Sequence, residues 1–233
     1  MNEQINEHIK RLLDTARAEL GATEYPPNSN RTIYGAWFGM NGQPWCQIFV
    51  AWCFEQAGLS SLWFNENTKA SAYVPWAMTQ AQNTGRWVTS GYVAGDVPIF
   101  DFDGTRRRAQ HIGICERVDP NGTLVCIEGN TGNSSDDNGG AVMRRNRDSR
   151  FVTGAFRPRY AELKKDDFKK EDFKKEDFKK GDFNYVVQAG DTLSGIAVKV
   201  YGSGQSARYV EIMKYNGLSS SVIRAGQVLR IPQ

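Results

Sequence analysis

Residues 164–183 read KKDDF KKEDF KKEDF KKGDF, four tandem pentamers ending at Phe168, Phe173, Phe178 and Phe183. A five-residue period suits neither regular element. Successive Phe residues step by roughly 140° around a helix and alternate sides on a strand, so they cannot line one continuous buried face. With 8 lysines against 7 acidic residues, the segment reads as a solvated linker. A partner-binding segment that uses the repeated Phe is the alternative. One hydrophobic core cannot run through such a stretch, so the expected organisation is residues 1–163, linker 164–183, and residues 184–233.

Charge divides along the same lines. Residues 1–163 carry 16 basic and 17 acidic side chains, and residues 184–233 carry 5 and 2. The small block is therefore the basic one, which suits contact with an anionic surface or simply solubility. The near-neutral large block argues against nucleic acid as a partner. Hydrophobic residues at 40% exclude a wholly disordered chain. The longest apolar run, Ile48 to Phe54, is far short of the ~20 residues that span a bilayer, so no membrane insertion is expected. The start, Met1-Asn2-Glu3-Gln4, has no cationic patch followed by an apolar stretch, so no secretory signal is expected. Four cysteines are too few for a disulfide scaffold and suit a reducing compartment.

In the first block Ile5, Ile9, Leu12, Leu13, Ala16 and Leu20 fall at helical spacing, and Gly21 ends the pattern. A loop rich in Pro, Asn and Gly follows. Pro44 then stands where a first helical position belongs, and Trp45, Ile48, Phe49, Trp52 and Cys53 form an apolar stripe that Gly58 stops. Beyond about residue 90, Gly, Val and Ile with turn signals predict antiparallel strands. Helices first and strands after define an α+β arrangement.

Two histidines and four cysteines leave few pairings for nucleophilic chemistry. His8 falls on the polar side of the first helix and is expected at the surface. His111 opens a strand that runs to a turn at Asp119-Pro120-Asn121-Gly122, and the return strand is Leu124 to Asn130. With Pro120-Asn121 at the tip, His111 faces Asn130, Gly113 faces Glu128, and Cys115 faces Cys126. Glu128 is then the diagonal neighbour of His111, and Gly113 leaves the space between them. Cys53 belongs to the apolar stripe. Cys115 and Cys126 read as a reduced interior pair, with a bridge as the alternative. Cys46 differs because it falls in the first turn of a helix, where unpaired backbone N–H groups and the dipole favour a thiolate.

Trp45-Cys46-Gln47-Ile48-Phe49-Val50-Ala51-Trp52, the strand His111-Ile112-Gly113-Ile114 and Glu128-Gly129-Asn130 together resemble the signature segments of CHAP-domain peptidoglycan hydrolases. These are papain-like cysteine amidases and peptidases related to the NlpC/P60 group. The resemblance covers roughly residues 5–160. It implies Cys46 as nucleophile, His111 as general base, Glu128 as the group that orients His111, and Asn130 as a further polar member of the site. Gln47 departs from the small or acidic residue usual after the nucleophile. Some relatives bind calcium ahead of the nucleophile, but Asn28-Ser29-Asn30-Arg31-Thr32 has no carboxylate, so no metal and no cofactor are expected. Asp136-Asp137 reads as a solvated loop, with an ion site as the alternative.

The last block resembles a LysM module through Tyr185-Val186-Val187, Gly190-Asp191-Thr192-Leu193, Ile196-Ala197, Asn216-Gly217-Leu218 and the run Ala225 to Pro232. Its pattern reads as strand, helix capped by Asp191, second helix stopped at Asn216-Gly217, and strand: a βααβ unit. LysM modules bind N-acetylglucosamine-containing glycans between two loops. The implied contacts are Gly190, Asp191, Thr192 and Leu193 on one loop, and Asn216, Gly217, Leu218 and Ile223 on the other. Several of these are also what the turns themselves require. The clusters Arg106-Arg107-Arg108 and Arg144, Arg145, Arg147 read as solvated surface, with an anionic wall polymer or a substrate carboxylate as the alternative. The composite expectation is a monomeric phage-endolysin-like enzyme. It would be made in the bacterial cytoplasm without a signal peptide and act on peptidoglycan after release. An inert wall-binding protein and an exported autolysin are its rivals.

Overall fold

The computed structural model describes residues 3–24, 26–163, 183–188, 191–201, 208–218, 223–224 and 226–232. The linker expectation for residues 164–182 and the glycan contact at Gly190 lie outside them. The chain divides into two compact units, Met1–Phe168 and Lys169–Gln233.

In the first unit, helix α1 (Glu3–Ala18) buries Leu12, Leu13 and Ala16, as the stripe predicts. His8 corrects the expectation of a surface residue: it is only 2% exposed. One turn from Leu12, it sits at the edge of the same stripe, and burial together with Arg11 lowers its pKa. A short helix α2 (Ile33–Phe38), capped by Thr32, leads to α3 (Cys46–Gln56). Pro44 is not part of α3. Trp45 is the N-cap and offers no side-chain bond, so Cys46 is the first helical residue. Helix α3 is buried on nearly every side, from Cys46 through Ala51 and again at Cys53 and Phe54, the pattern of a central core helix. A fourth helix, α4 (Val74–Asn83), completes the helical layer.

Among the described residues seven strands form the other layer. They are β1 (Trp87–Val88), β2 (Val97–Phe100), β3 (His111–Ile112), β4 (Ile114–Val118), β5 (Leu124–Thr131), β6 (Ala141–Arg147) and β7 (Val152–Phe156). One sheet runs β1-β7-β2-β3 and the other β4-β5-β6. Their neighbours are antiparallel. Gly113 joins β3 to β4, and Gly113 N–H bonds to Pro98 O at 3.1 Å while Cys115 N–H bonds to Asp96 O at 2.8 Å. One extended run thus passes from the first sheet to the second.

The register matters because a one-residue slip would turn every side chain over. Ile114 pairs with Ile127 and Cys115 with Cys126, in agreement with the sequence. Toward the turn the register shifts by one, so that Arg117 pairs with Val125; Glu116 is the bulged residue. Its carboxylate is held between Arg17 (2.7 Å) and Arg144 (2.6 Å). This ties α1 to β4 and β6 and holds Glu116 down to a pKa of about 2. Arg144 is therefore paired, and not simply a solvated residue.

The alternation sorts side chains into two clusters. Ile112, Ile114 and Ile127 join the helices in the main core. Phe100, Cys115, Leu124, Cys126 and Val152 form a second cluster, and all four cysteines are free thiols.

The second unit has β8 (Phe183–Val186), α5 (Leu193–Tyr201), α6 (Tyr209–Tyr215) and β9 (Val228–Ile231), with β8 and β9 antiparallel. This is the βααβ pattern. Phe183, the last aromatic of the repeat, is the first residue of β8 and packs on the small core. Asn216 caps α6 and Gly217 has φ 61°, as the stop signal requires.

Candidate active site

The start of α3 lies against β5. Gly129 makes this possible: a Cβ there would meet Phe49 Cβ at 2.6 Å and Trp45 Cζ3 at 2.7 Å. Trp45 is stacked on Tyr34, ring centroids 5.4 Å apart, and Gln47 donates from Nε2 to Ser71 O at 2.7 Å. Aromatic packing on one side and a loop anchor on the other hold the first turn of α3, with Cys46 4% exposed.

His111 and Glu128 come from two strands and are each fully buried. His111 Nε2 lies 3.0 Å from Glu128 Oε2. A carboxylate accepts, so Nε2 carries the proton and donates. Gly113 leaves the space the sequence anticipates, since a Cβ there would meet Glu128 Cγ at 2.5 Å. Burial pushes the His111 imidazolium down, but its interactions with Cys46 and Glu128 outweigh that and bring it up to about 9. Nδ1, the nitrogen not used by Glu128, has no hydrogen-bond partner among the described residues. Glu128 bonds the His111 ring, and Cys46 is near enough to raise it as well. The rings of Phe100 and Phe102 flank His111 at 6.2 and 5.9 Å.

Asn130 lies two residues past Glu128 at an irregularity in the β5–β6 register. It has φ 57°, is fully buried, and neither side-chain amide atom has a hydrogen-bond partner among the described residues.

One member of the site was missed. Arg147 corrects the expectation of a solvated arginine: it is 5% exposed. It donates from Nε to Glu128 Oε1 at 2.9 Å and from Nη2 to Oε2 at 2.5 Å. Burial raises the Glu128 pKa, while Arg147 and then His111 lower it by more, so the carboxyl is held below its ordinary range. Asp136, read as a loop carboxylate, accepts from Arg147 and Arg145, each at 2.6 Å. Arg147 ends β6 paired with Leu124, while Glu128 pairs with Met143, so no local sequence signal joined the two. Among the described residues no group of three His, Cys, Asp or Glu side chains is arranged to hold a metal ion.

In the second unit the glycan-contact candidates are largely occupied within the fold. Asp191 accepts from Tyr185 Oη at 2.7 Å, Gln188 N–H at 2.7 Å and Lys199 Nζ at 2.5 Å. Thr192, not Asp191, caps α5, its Oγ1 accepting from Gly195 N–H at 3.1 Å. Leu193 is 1% exposed in the core. Asn216 bonds Ile212 O, Arg230 O and Arg230 N–H at 2.8, 2.6 and 2.6 Å. Leu218 and Ile223 pack on the core, while Gly217 is exposed.

The first unit is thus an α+β domain with a buried Cys, His and Glu near one another, and the second a small βααβ module. Residues 38–130 match the family model of the CHAP domain and residues 185–232 that of the LysM domain. The chain therefore carries a CHAP domain followed by a LysM domain, an architecture that indicates a cell-wall hydrolase of the peptidoglycan amidase or peptidase kind with a peptidoglycan-binding module. No curated protein and no solved structure matches the chain significantly. Arg147 lies beyond the matched residues. Among the described residues no helix is long and apolar enough to cross a membrane.

Proposed function

We propose that this protein cleaves an amide bond of the bacterial wall peptide through a covalent Cys46 intermediate. His111 takes the thiol proton and the sulfur attacks the carbonyl, so that a C–S bond forms as the carbonyl π pair moves to oxygen. The oxyanion is received by the Cys46 backbone N–H at the helix start. His111 returns its proton to the departing amine as the C–N bond breaks, and water then releases the acyl group from sulfur. Glu128 holds the imidazole through Nε2 and stabilises its charged form, and Asn130 offers its unused amide to the substrate. The observation that carries this reading is the fully buried His111 ring, bonded to Glu128 at 3.0 Å and raised by Cys46 on the same ring. No cofactor enters the scheme.

In this reading the LysM unit, as a monomer's second domain, brings the enzyme to N-acetylglucosamine-containing glycan, and the repeat 164–183 connects the two. With Asp191, Leu193 and Asn216 engaged inside the fold, glycan is met mainly by loop backbone and by Thr192. The biological role that suits this pairing is that of a phage endolysin reaching the wall from the cytoplasm after a separate pore opens the membrane. Expression in a susceptible bacterium with and without a co-expressed pore protein tests that role: lysis without the pore indicates an exported autolysin instead.

Mass spectrometry of fragments released from purified walls tests the chemistry. A free stem-peptide amino terminus with intact lactyl-glycan identifies an amidase, and a new terminus within the peptide identifies an endopeptidase. Fragments with intact amides and cleaved glycosidic bonds contradict the proposal.

A further inference from the structure

We infer that Arg147 is a positioning residue of the catalytic site, fixing Glu128 in the orientation that serves His111 and tying the 132–140 loop to it through Asp136. The inference rests on the roles of Cys46, His111 and Glu128 proposed above. Arg147 ends β6, and its two bonds reach both oxygens of Glu128. This forked pairing fixes the rotation of the carboxylate as well as its place. Oε2 is shared, accepting from His111 on one side and Arg147 on the other. Turning the carboxylate toward one partner therefore disturbs the other. Behind the guanidinium, Asp136 takes Nη1, and the Phe102 ring lies 4.7 Å from Cζ. The same ring borders His111, so it limits where both can move.

The need for such a residue follows from burial. A buried carboxylate facing only an imidazolium can settle as two charges or, by taking the proton, as two neutral groups. The neutral pair gives His111 no charge-stabilising partner. The groups facing Glu128 are His111 from β3, Arg147 from β6 and, on its own strand, the Cys126 thiol, with Asp136 behind Arg147. Arg147 is the one among these that keeps its positive charge at every working pH. It disfavours the neutral pair and leaves Glu128 ionised.

A purely structural ion pair makes a different prediction. Replacing a buried pair's members changes stability, but it need not change the pH dependence of each folded molecule's activity. The test uses the full chain with Arg147→Met, Arg147→Lys and Asp136→Asn, and Cys46→Ala in parallel. Thermal unfolding reports the folded fraction. The initial rate of amide cleavage at limiting wall concentration is read across pH. For Arg147→Met, the rate per folded molecule is expected to fall about tenfold or more, and the acid limb to move up by about one pH unit or more. Arg147→Lys should restore the acid limb but not the full rate, because one ammonium cannot hold both oxygens. Asp136→Asn should lose less, with the acid limb in place. A wild-type profile per folded molecule in Arg147→Met overturns the inference. So does an Arg147→Lys protein whose limb stays with that of Arg147→Met. If Arg147→Met does not fold, Arg147→Lys decides: a lowered rate on an unmoved limb supports the inference, and an unchanged rate overturns it. Cleavage that persists in Cys46→Ala marks failure of the underlying reading instead.

Discussion

In Met1–Phe168 three deeply buried polar side chains serve one another, His111 to Glu128 to Arg147. In Lys169–Gln233 the described Asp191 and Asn216 each reach the backbone. Asp191 closes on Gln188 N–H, and Asn216 fastens α6 to the carbonyl and N–H of Arg230. Size explains the contrast. The first unit has a core of many aromatic and aliphatic residues, including Trp45, Phe49, Phe54, Trp63 and Phe156, which can support a charged line in its interior. The second has Val187, Leu193, Ile196, Ala197, Ile212, Leu229 and Ile231, near the lower limit for an independent core. Asp191 and Asn216 are engaged in finishing that fold.

The largest expected effect separates the units by chemistry. His111→Ala should reduce wall cleavage by about three orders of magnitude or more, the scale at which members of a nucleophile–base unit act together. Glycan binding by the second unit should be unchanged, and a binding assay on insoluble walls checks this. Deleting residues 184–233 is next. Cleavage of intact walls should drop about tenfold or more through lost effective concentration, while cleavage of a short soluble wall peptide stays near wild type. Equal losses on both substrates would mean that the second unit stabilises the first.

The charged line also predicts a pH window. His111 is raised from 6.5 to about 9, so its contribution to stability is complete below about 6.5 and disappears as pH rises through about 9. Cleavage per folded molecule should fall over the same alkaline range, because the departing amine loses its proton donor. Glu128 is shifted the other way. Its contribution is present above the ordinary carboxylate value and is lost as pH falls below it. A pH–rate profile beside denaturant melts checks both limbs.

Much of this was legible beforehand, for identifiable reasons. The strand alternation put Cys115 opposite Cys126 as observed, but the turn closes one residue off the expected Pro120-Asn121 tip, with Asp119 on Thr123, and the bulge at Glu116 makes up the difference. The same expected register put Glu128 diagonal to His111. Gly113 marked a close approach that its contact with Glu128 on β5 explains. The bulge at Glu116 was not visible, because it answers to Arg17 on α1 and Arg144 on β6, two partners far away in the chain. Arg147 was hidden for the same reason: an arginine in a cluster looks solvated until a buried carboxylate from another strand meets it. His8 was misjudged at the edge of a stripe, where one helical position separates core from solvent. In the second unit the turn residues were recognised, but their side-chain partners, Tyr185 and Lys199 for Asp191, depend on tertiary packing.

The smallest expected effects test how the two units use polar groups. Asn216→Ala should cost the second unit about 1–3 kcal/mol, the penalty for leaving its backbone partners unsatisfied. The unfolding of the first unit should not move. Calorimetry of the full chain resolves this if the units melt separately. An Asn216→Ala protein that loses glycan affinity with no loss of stability would return this side chain to the ligand.

The most direct measurement of the central claim is the rate at which Cys46→Ala releases fragments from purified walls, with its fold checked by thermal unfolding. The account predicts a protein that unfolds like the wild type and releases no fragments above background. A folded Cys46→Ala protein that releases them at the wild-type rate would contradict it.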